Sequence, residues 1–116
     1  MRVKFWQSTS LHIPVLEFIE DQPDEAAQRI MKTIDHLTEK GLDLLASPNK
    51  MKQLKGYKGL FELRIDFKGV YYRIIFCVIN GIAWLLSAFK KKDNRTKNSY
   101  IDVALGRQRQ LSLANS

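Results

Sequence analysis

At 116 residues the chain is long enough for one domain with a modest core and no covalent staples. Its 45% apolar and 27% charged residues are those of an ordinary soluble globule, and the lone Cys77 excludes an internal disulfide and points to a reducing compartment. The formal net charge of +7 is one-sided: residues 1–50 carry six Lys/Arg against eight Asp/Glu, whereas residues 51–116 carry thirteen against four. A basic half of this kind is the electrostatic footprint of a polyanion binder, unless it is only a solvated face that aids solubility. The first residues hold no apolar signal-peptide core. The longest apolar run, Tyr71 to Ile79, is broken by Arg73 and too short to span a bilayer. A cytoplasmic protein without membrane contact is expected.

Met1 to Gln7 alternates Val3 and Phe5 against Arg2, Lys4 and Trp6, which predicts a first strand. Ser8, Thr9 or Ser10 is expected to N-cap a helix with Pro14 in its first turn. Pro23 ends that helix and opens a second, whose first turn carries Asp24 and Glu25 at the positive end of the helix dipole. Ala26, Ala27, Ile30, Met31, Ile34 and Leu37 recur at three- and four-residue spacing, an amphipathic stripe that Lys40-Gly41 closes. Residues 41–50 read as a connection with partly buried leucines and a turn at Ser47-Pro48-Asn49. Met51 to Lys55 is a short strand candidate. His12 and His36 show no metal-ligand spacing with each other or with Cys77, so neither a metal nor a cofactor is expected.

Residues 59–92 predict three antiparallel strands joined by tight turns at Lys68-Gly69 and Asn80-Gly81. Asn-Gly between apolar runs is the strongest short-range hairpin signal, because both central residues of a type I′ turn need φ > 0. Two-residue turns set the register. Phe67 then faces Val70, Ile65 faces Tyr72, Leu63 faces Ile74 and Phe61 faces Phe76, all on one apolar face. The other face pairs Asp66 with Tyr71, Arg64 with Arg73 and Glu62 with Ile75. In the second hairpin Phe76 is expected opposite Leu85, Ile74 opposite Ser87, Tyr72 opposite Phe89 and Tyr71 opposite Lys90. That places Lys90 beside the two arginines.

Two arginines directly across a ladder repel unless an anion or a carboxylate sits between them. Two readings follow. Glu62 and Asp66 neutralise the pair in a salt-bridge ladder, or the pair awaits a phosphate. Asp93 to Thr96 reads as a turn, and Ser99 as the cap of a last helix from Tyr100 to about Leu111. Trp84, Leu86, Cys77 and Ile79 lie on the arginine face, to be covered by that helix or by a partner segment.

No phosphate loop, zinc cysteine pair, HExxH or G-x-S-x-G is present, and the acidic residues do not cluster as a divalent-metal site needs. What remains is Arg, Lys and Tyr on a sheet, which suits metal-free work on a phosphodiester. Arginine binds phosphate oxygens bidentately and meets the charge that builds in the transition state. RNA brings its own nucleophile, the 2′-OH.

The runs Gln53-Leu54-Lys55-Gly56, Gly59-Leu60-Phe61-Glu62-Leu63-Arg64, Tyr72-Arg73-Ile74-Ile75-Phe76 and Phe89-Lys90-Lys91-Lys92, with Thr96 and Ala104, resemble the RelE/ParE toxin superfamily, most nearly its phage-derived, HigB-like branch. The resemblance covers nearly the whole chain. It implies an α+β RelE-like fold: an N-terminal strand and two-helix hairpin on one face of a mainly antiparallel sheet, with a short C-terminal helix. Residues 1–111 would form the single domain and residues 112–116 a disordered tail. It also implies a toxin of a type II toxin–antitoxin pair that cuts mRNA in the ribosomal A site without a metal, and a helix-turn-helix antitoxin as partner. By motif, Arg73 would steady the scissile phosphate, Lys91 would share that task, Tyr100 would stack on a base or move a proton, and Arg64 matches the arginine of the E-L-R strand. Lys52, Lys55, Lys58, Lys90, Lys92 and Arg95 are the expected RNA-binding residues.

The chain departs from the pattern in three places. Leu60 and Glu62 stand where RelE-type enzymes have lysines, leaving Lys52, Lys55 and Lys58 as candidates for proton transfer. The histidines of HigB-type enzymes have no counterpart at matching places. Lys97 stands where the branch commonly has proline. The alternatives are a ParE-like gyrase inhibitor, with Ile82, Trp84 and Leu86 as an exposed apolar anchor, and a non-catalytic RNA-binding protein.

Overall fold

The computed structural model describes residues 1–91 and 98–114. The sequence expectations for Asp93 to Thr96, for Lys97 and for the site residues Lys92 and Arg95 fall outside them. In chain order the elements are β1 (Arg2–Phe5), α1 (Pro14–Glu20), α2 (Asp24–Lys40), a 3-10 turn (Gly41–Ala46), β2 (Met51–Gln53), β3 (Leu60–Phe67), β4 (Val70–Ile79), β5 (Ile82–Lys91) and α3 (Asn98–Ala114). The sheet order is β1-β5-β4-β3-β2, antiparallel except for β1, which runs parallel to β5 at the edge. This α+β arrangement, with its C-terminal helix, is consistent with a RelE-like fold. No helix among the described residues is long and apolar enough to cross a membrane.

Both tight turns take the left-handed conformation that their sequence demands, with φ of 49° and 77° at Lys68-Gly69 and 53° and 76° at Asn80-Gly81. The β3–β4 register is the expected one, including Arg64 opposite Arg73. The helical hairpin packs on the apolar face. Val15, Ile19, Ala26, Ile30, Ile34 and Leu37 meet Leu63, Ile65, Ile74, Phe76 and Leu85 in a dry core.

Three details differ from the sequence reading. The serine-threonine run does not cap α1. Ile13 is its N-cap, and Glu17 reaches back to accept the Ile13 N–H at 2.6 Å. Ser8 instead closes the preceding turn by accepting the His12 N–H at 3.0 Å. The last helix begins at Asn98 and is helical through Ala114, longer at both ends than its apolar spacing implies.

The largest difference is in β5. Phe76 pairs with Leu85 as expected, but Ile75 then pairs with Ser87, leaving Leu86 as an extra, bulged residue. Beyond it every pairing moves by one: Ile74 faces Ala88, Arg73 faces Phe89, Tyr72 faces Lys90 and Tyr71 faces Lys91. A one-residue slip flips each side chain to the other face. Phe89 and Lys91 therefore join the arginine face, and Lys90 leaves it.

The reason lies in α3. Its buried Ile101 and Ala104 seat against a second core of Leu60, Ile75, Cys77, Leu86 and Phe89, with Trp6 at its edge. Without the bulge Phe89 would point to the other face. Tyr100 stacks on Phe89 at 4.0 Å between ring centroids, nearly parallel. Arg107 lies 4.5 Å from the centre of the Trp6 ring and donates to the Leu86 carbonyl at 2.6 Å.

Candidate functional site

The face away from the helical hairpin divides in two. Toward the Asn80-Gly81 turn it is apolar and covered by α3. Toward the Lys68-Gly69 turn it carries the two arginines. Alternation along β3 puts Glu62, Arg64 and Asp66 on this face, and β4 contributes Tyr71 and Arg73. The bulged β5 adds Phe89 and Lys91, and α3 brings Tyr100 over Phe89. Lys52 enters from β2, directly across from Glu62.

The arginines are together but not bare. Arg73 is 0% exposed. Its Nη1 donates to Asp66 Oδ1 at 2.7 Å and to the Tyr72 carbonyl at 2.9 Å. Its guanidinium lies 5.3 Å from the centre of the Tyr71 ring, within cation–π range. Glu62, only 4% exposed, sets Oε1 at 3.7 Å from Nε of both Arg73 and Arg64. A buried carboxylate between two guanidinium groups is what makes like charges tolerable across a ladder. Of the two readings that the sequence left open, the ladder neutralised by carboxylates is the arrangement observed.

Arg64 stands farther out. Its side chain is 15% exposed, and its Nη1 donates to the Pro48 carbonyl at 3.0 Å. The Arg64 N–H donates to the Lys50 carbonyl at 2.9 Å, which ties the 47–50 turn to the edge of β3. Lys91, partly exposed, has Nζ 5.9 Å from the centre of the Phe89 ring. Lys91, Phe89 and Tyr100 thus form a cationic and aromatic strip beside the arginine pair.

Of the sequence-predicted residues, Arg64, Arg73, Lys91 and Tyr100 are brought to one region, and Lys52 flanks it. Lys55 and Lys58 are exposed in the 54–59 turn, where the Lys58 carbonyl accepts from Gln108 of α3 at 3.2 Å. Lys90 is exposed on the helical-hairpin side, opposite Tyr72, and does not join the arginines. Two further residues of the cluster, Tyr71 and Phe89, were not singled out in the sequence. Tyr71 could have been found from the unbroken alternation Tyr71, Arg73 on one face. Phe89 could not, because the bulge decides its side.

A match to the phage-derived Gp49-like proteins (DUF891) spans residues 17–109, from α1 well into α3. The chain belongs to that family. The family falls within the RelE/HigB-like toxin superfamily. No curated protein matches the chain.

Among the described residues the cluster gathers guanidinium, ammonium, phenol and carboxylate groups. The buried thiol of Cys77 is pushed from 9.0 up to about 11 by desolvation, which keeps it protonated and unreactive near neutrality. Burial also lowers the pKa of Arg107 from its ordinary value.

Proposed function

We propose that the chain is the toxin of a type II toxin–antitoxin pair, of the HigB-like branch, and that it cuts mRNA on the ribosome with a cognate helix-turn-helix antitoxin as its restraint. The observation that carries the reading is the cross-strand Arg64/Arg73 pair beside Lys91 and the Tyr100–Phe89 stack, in a chain of this family. Arg64 and Lys91, both partly exposed, take the phosphate contacts. Tyr100 offers a ring face for a base. Arg73, enclosed by Asp66, Glu62 and Tyr71, supplies positive potential behind them and holds Glu62 in place. Attack by the RNA 2′-OH on the adjacent phosphate would then need only positioning and charge from the protein.

Arg73→Ala is a poor test, because it leaves Glu62 buried and short of a partner and strikes stability first. Arg64→Ala and Lys91→Ala at outer positions are the informative variants. Expression of the wild type is expected to arrest growth and truncate mRNAs within translated regions. Either variant, compared with wild type at equal amounts of folded protein, is expected to lose most of that effect. Full toxicity in both variants would remove this site from the mechanism.

Of the anchor proposed for the ParE-like alternative, Leu86 is fully buried, while Ile82 and Trp84 are partly exposed, with Lys4 Nζ 5.4 Å from the Trp84 ring centre. DNA damage with intact mRNA would nonetheless select it. The reading as a non-catalytic RNA-binding protein is favoured by the enclosure of Arg73. RNA binding without cleavage on translating ribosomes would select that one.

A further inference from the structure

We propose that Asp66 is a displaceable counterion of Arg73, holding the place that a phosphate of single-stranded RNA takes when it binds. The inference rests on the RNA-cleaving reading above and names how its most enclosed arginine is reached.

Among the described residues, the two carboxylates beside Arg73 are unlike. Glu62 is 4% exposed and lies between two guanidinium groups, so withdrawing it would take an ion pair from each. Asp66 is 52% exposed, at the open end of β3, two residues before the Lys68-Gly69 turn. It makes the shorter contact, 2.7 Å against 3.7 Å, yet only Asp66 can turn out into water. A rotamer change in a short exposed side chain is a small cost. A phosphate oxygen arriving there would exchange one charge-assisted hydrogen bond for another. The desolvation of Arg73 is already met in the folded protein. Tyr71, directly across from Asp66 and against the Arg73 guanidinium, keeps that group in plane for the newcomer.

The consequence runs against the usual expectation for a residue at a functional site. Neutralising Asp66 should strengthen RNA binding, because it removes a competitor for Arg73. The test uses the full chain as Asp66→Asn, with Asp66→Ser as a second variant should the first fold poorly. Asp35→Asn on α2, exposed on the helical-hairpin side, is the control for net charge. The probe is a single-stranded oligouridylate followed by fluorescence anisotropy across a salt series. Asp66→Asn is expected to bind roughly fivefold to tenfold tighter than wild type, with about one more counterion released, and Asp35→Asn to stay within about twofold. The Arg73 Nε–H resonance should move on addition of the oligonucleotide to Asp66→Asn. Affinity in Asp66→Asn no higher than in Asp35→Asn, or a gain that leaves the Arg73 resonance unmoved, would overturn the proposal. Tighter oligonucleotide binding through Arg73 with mRNA left whole on ribosomes would support the exchange and count against cleavage alone.

Discussion

The two faces of this sheet are held by different chemistry. The face under α1 and α2 is an apolar core with Leu63, Ile74, Phe76 and Leu85 all but inaccessible to water. The face under α3 is split between a smaller apolar core and a buried ionic cluster around a fully enclosed arginine. The first is stabilised by area removed from water and is indifferent to register beyond the period of two. The second holds together only if each charge meets its partner at a particular position, which is where a protein can place specificity at some cost in stability.

That contrast can be broken from either side. The largest effect is expected for Arg73→Ala, which should lose about 3–5 kcal/mol in chemical denaturation because Glu62 stays buried with one guanidinium partner fewer. Leu63→Ala on the dry face should cost about 2–5 kcal/mol by cavity formation, while leaving oligonucleotide binding by the surviving folded protein unchanged. A loss of binding in Leu63→Ala comparable to that in Arg64→Ala would mean that the faces are not separable. Arg107→Ala should cost about 1–3 kcal/mol, since it uncovers Trp6 and leaves the Leu86 carbonyl without its charged donor. That loss should appear as earlier hydrogen exchange in α3 than in α2.

Smaller effects sharpen the comparison. Gly106 sits within α3 with open space where a Cβ would stand. Gly106→Ala should therefore stabilise by about 0.5–1 kcal/mol, read as a rise in melting temperature. Cys77 lies under α3 with its folded pKa raised from 9.0 to about 11. Its contribution is fully present below pH 9 and is lost as pH rises toward 11, because the unfolded chain releases that proton first. Wild type should lose on the order of 1–2 kcal/mol more than Cys77→Ala across that window. Parallel pH curves for the two proteins would show that the second core is wetter than its packing implies.

Much of the fold was legible because its signals are local. Asn80-Gly81 and Lys68-Gly69 each set a turn, and the Arg64/Arg73 pairing followed by counting. The stripe from Ala26 to Leu37 likewise gave α2 its buried side, except that Met31 of that stripe is exposed. What was misread was local in appearance and tertiary in cause. Nothing in Leu85-Leu86-Ser87 announces a bulge, and the expected register put Lys90 where Lys91 stands. The α1 cap was misplaced because three hydroxyl residues outbid Ile13 on propensity, whereas the fold uses Glu17.

The sequence by itself determined which residues of β3 and β4 share a face of the sheet, because alternation and a tight turn act over a few residues. It also determined that positive charge would gather in the second half of the chain. Tertiary structure alone decided which aromatic and which lysine stand beside Arg73, because α3 draws Phe89 to its side across the Leu86 bulge. It alone decided that the guanidinium is enclosed, because the reach of Glu62 and Asp66 to one arginine depends on distances of a few ångströms that no spacing in the chain specifies.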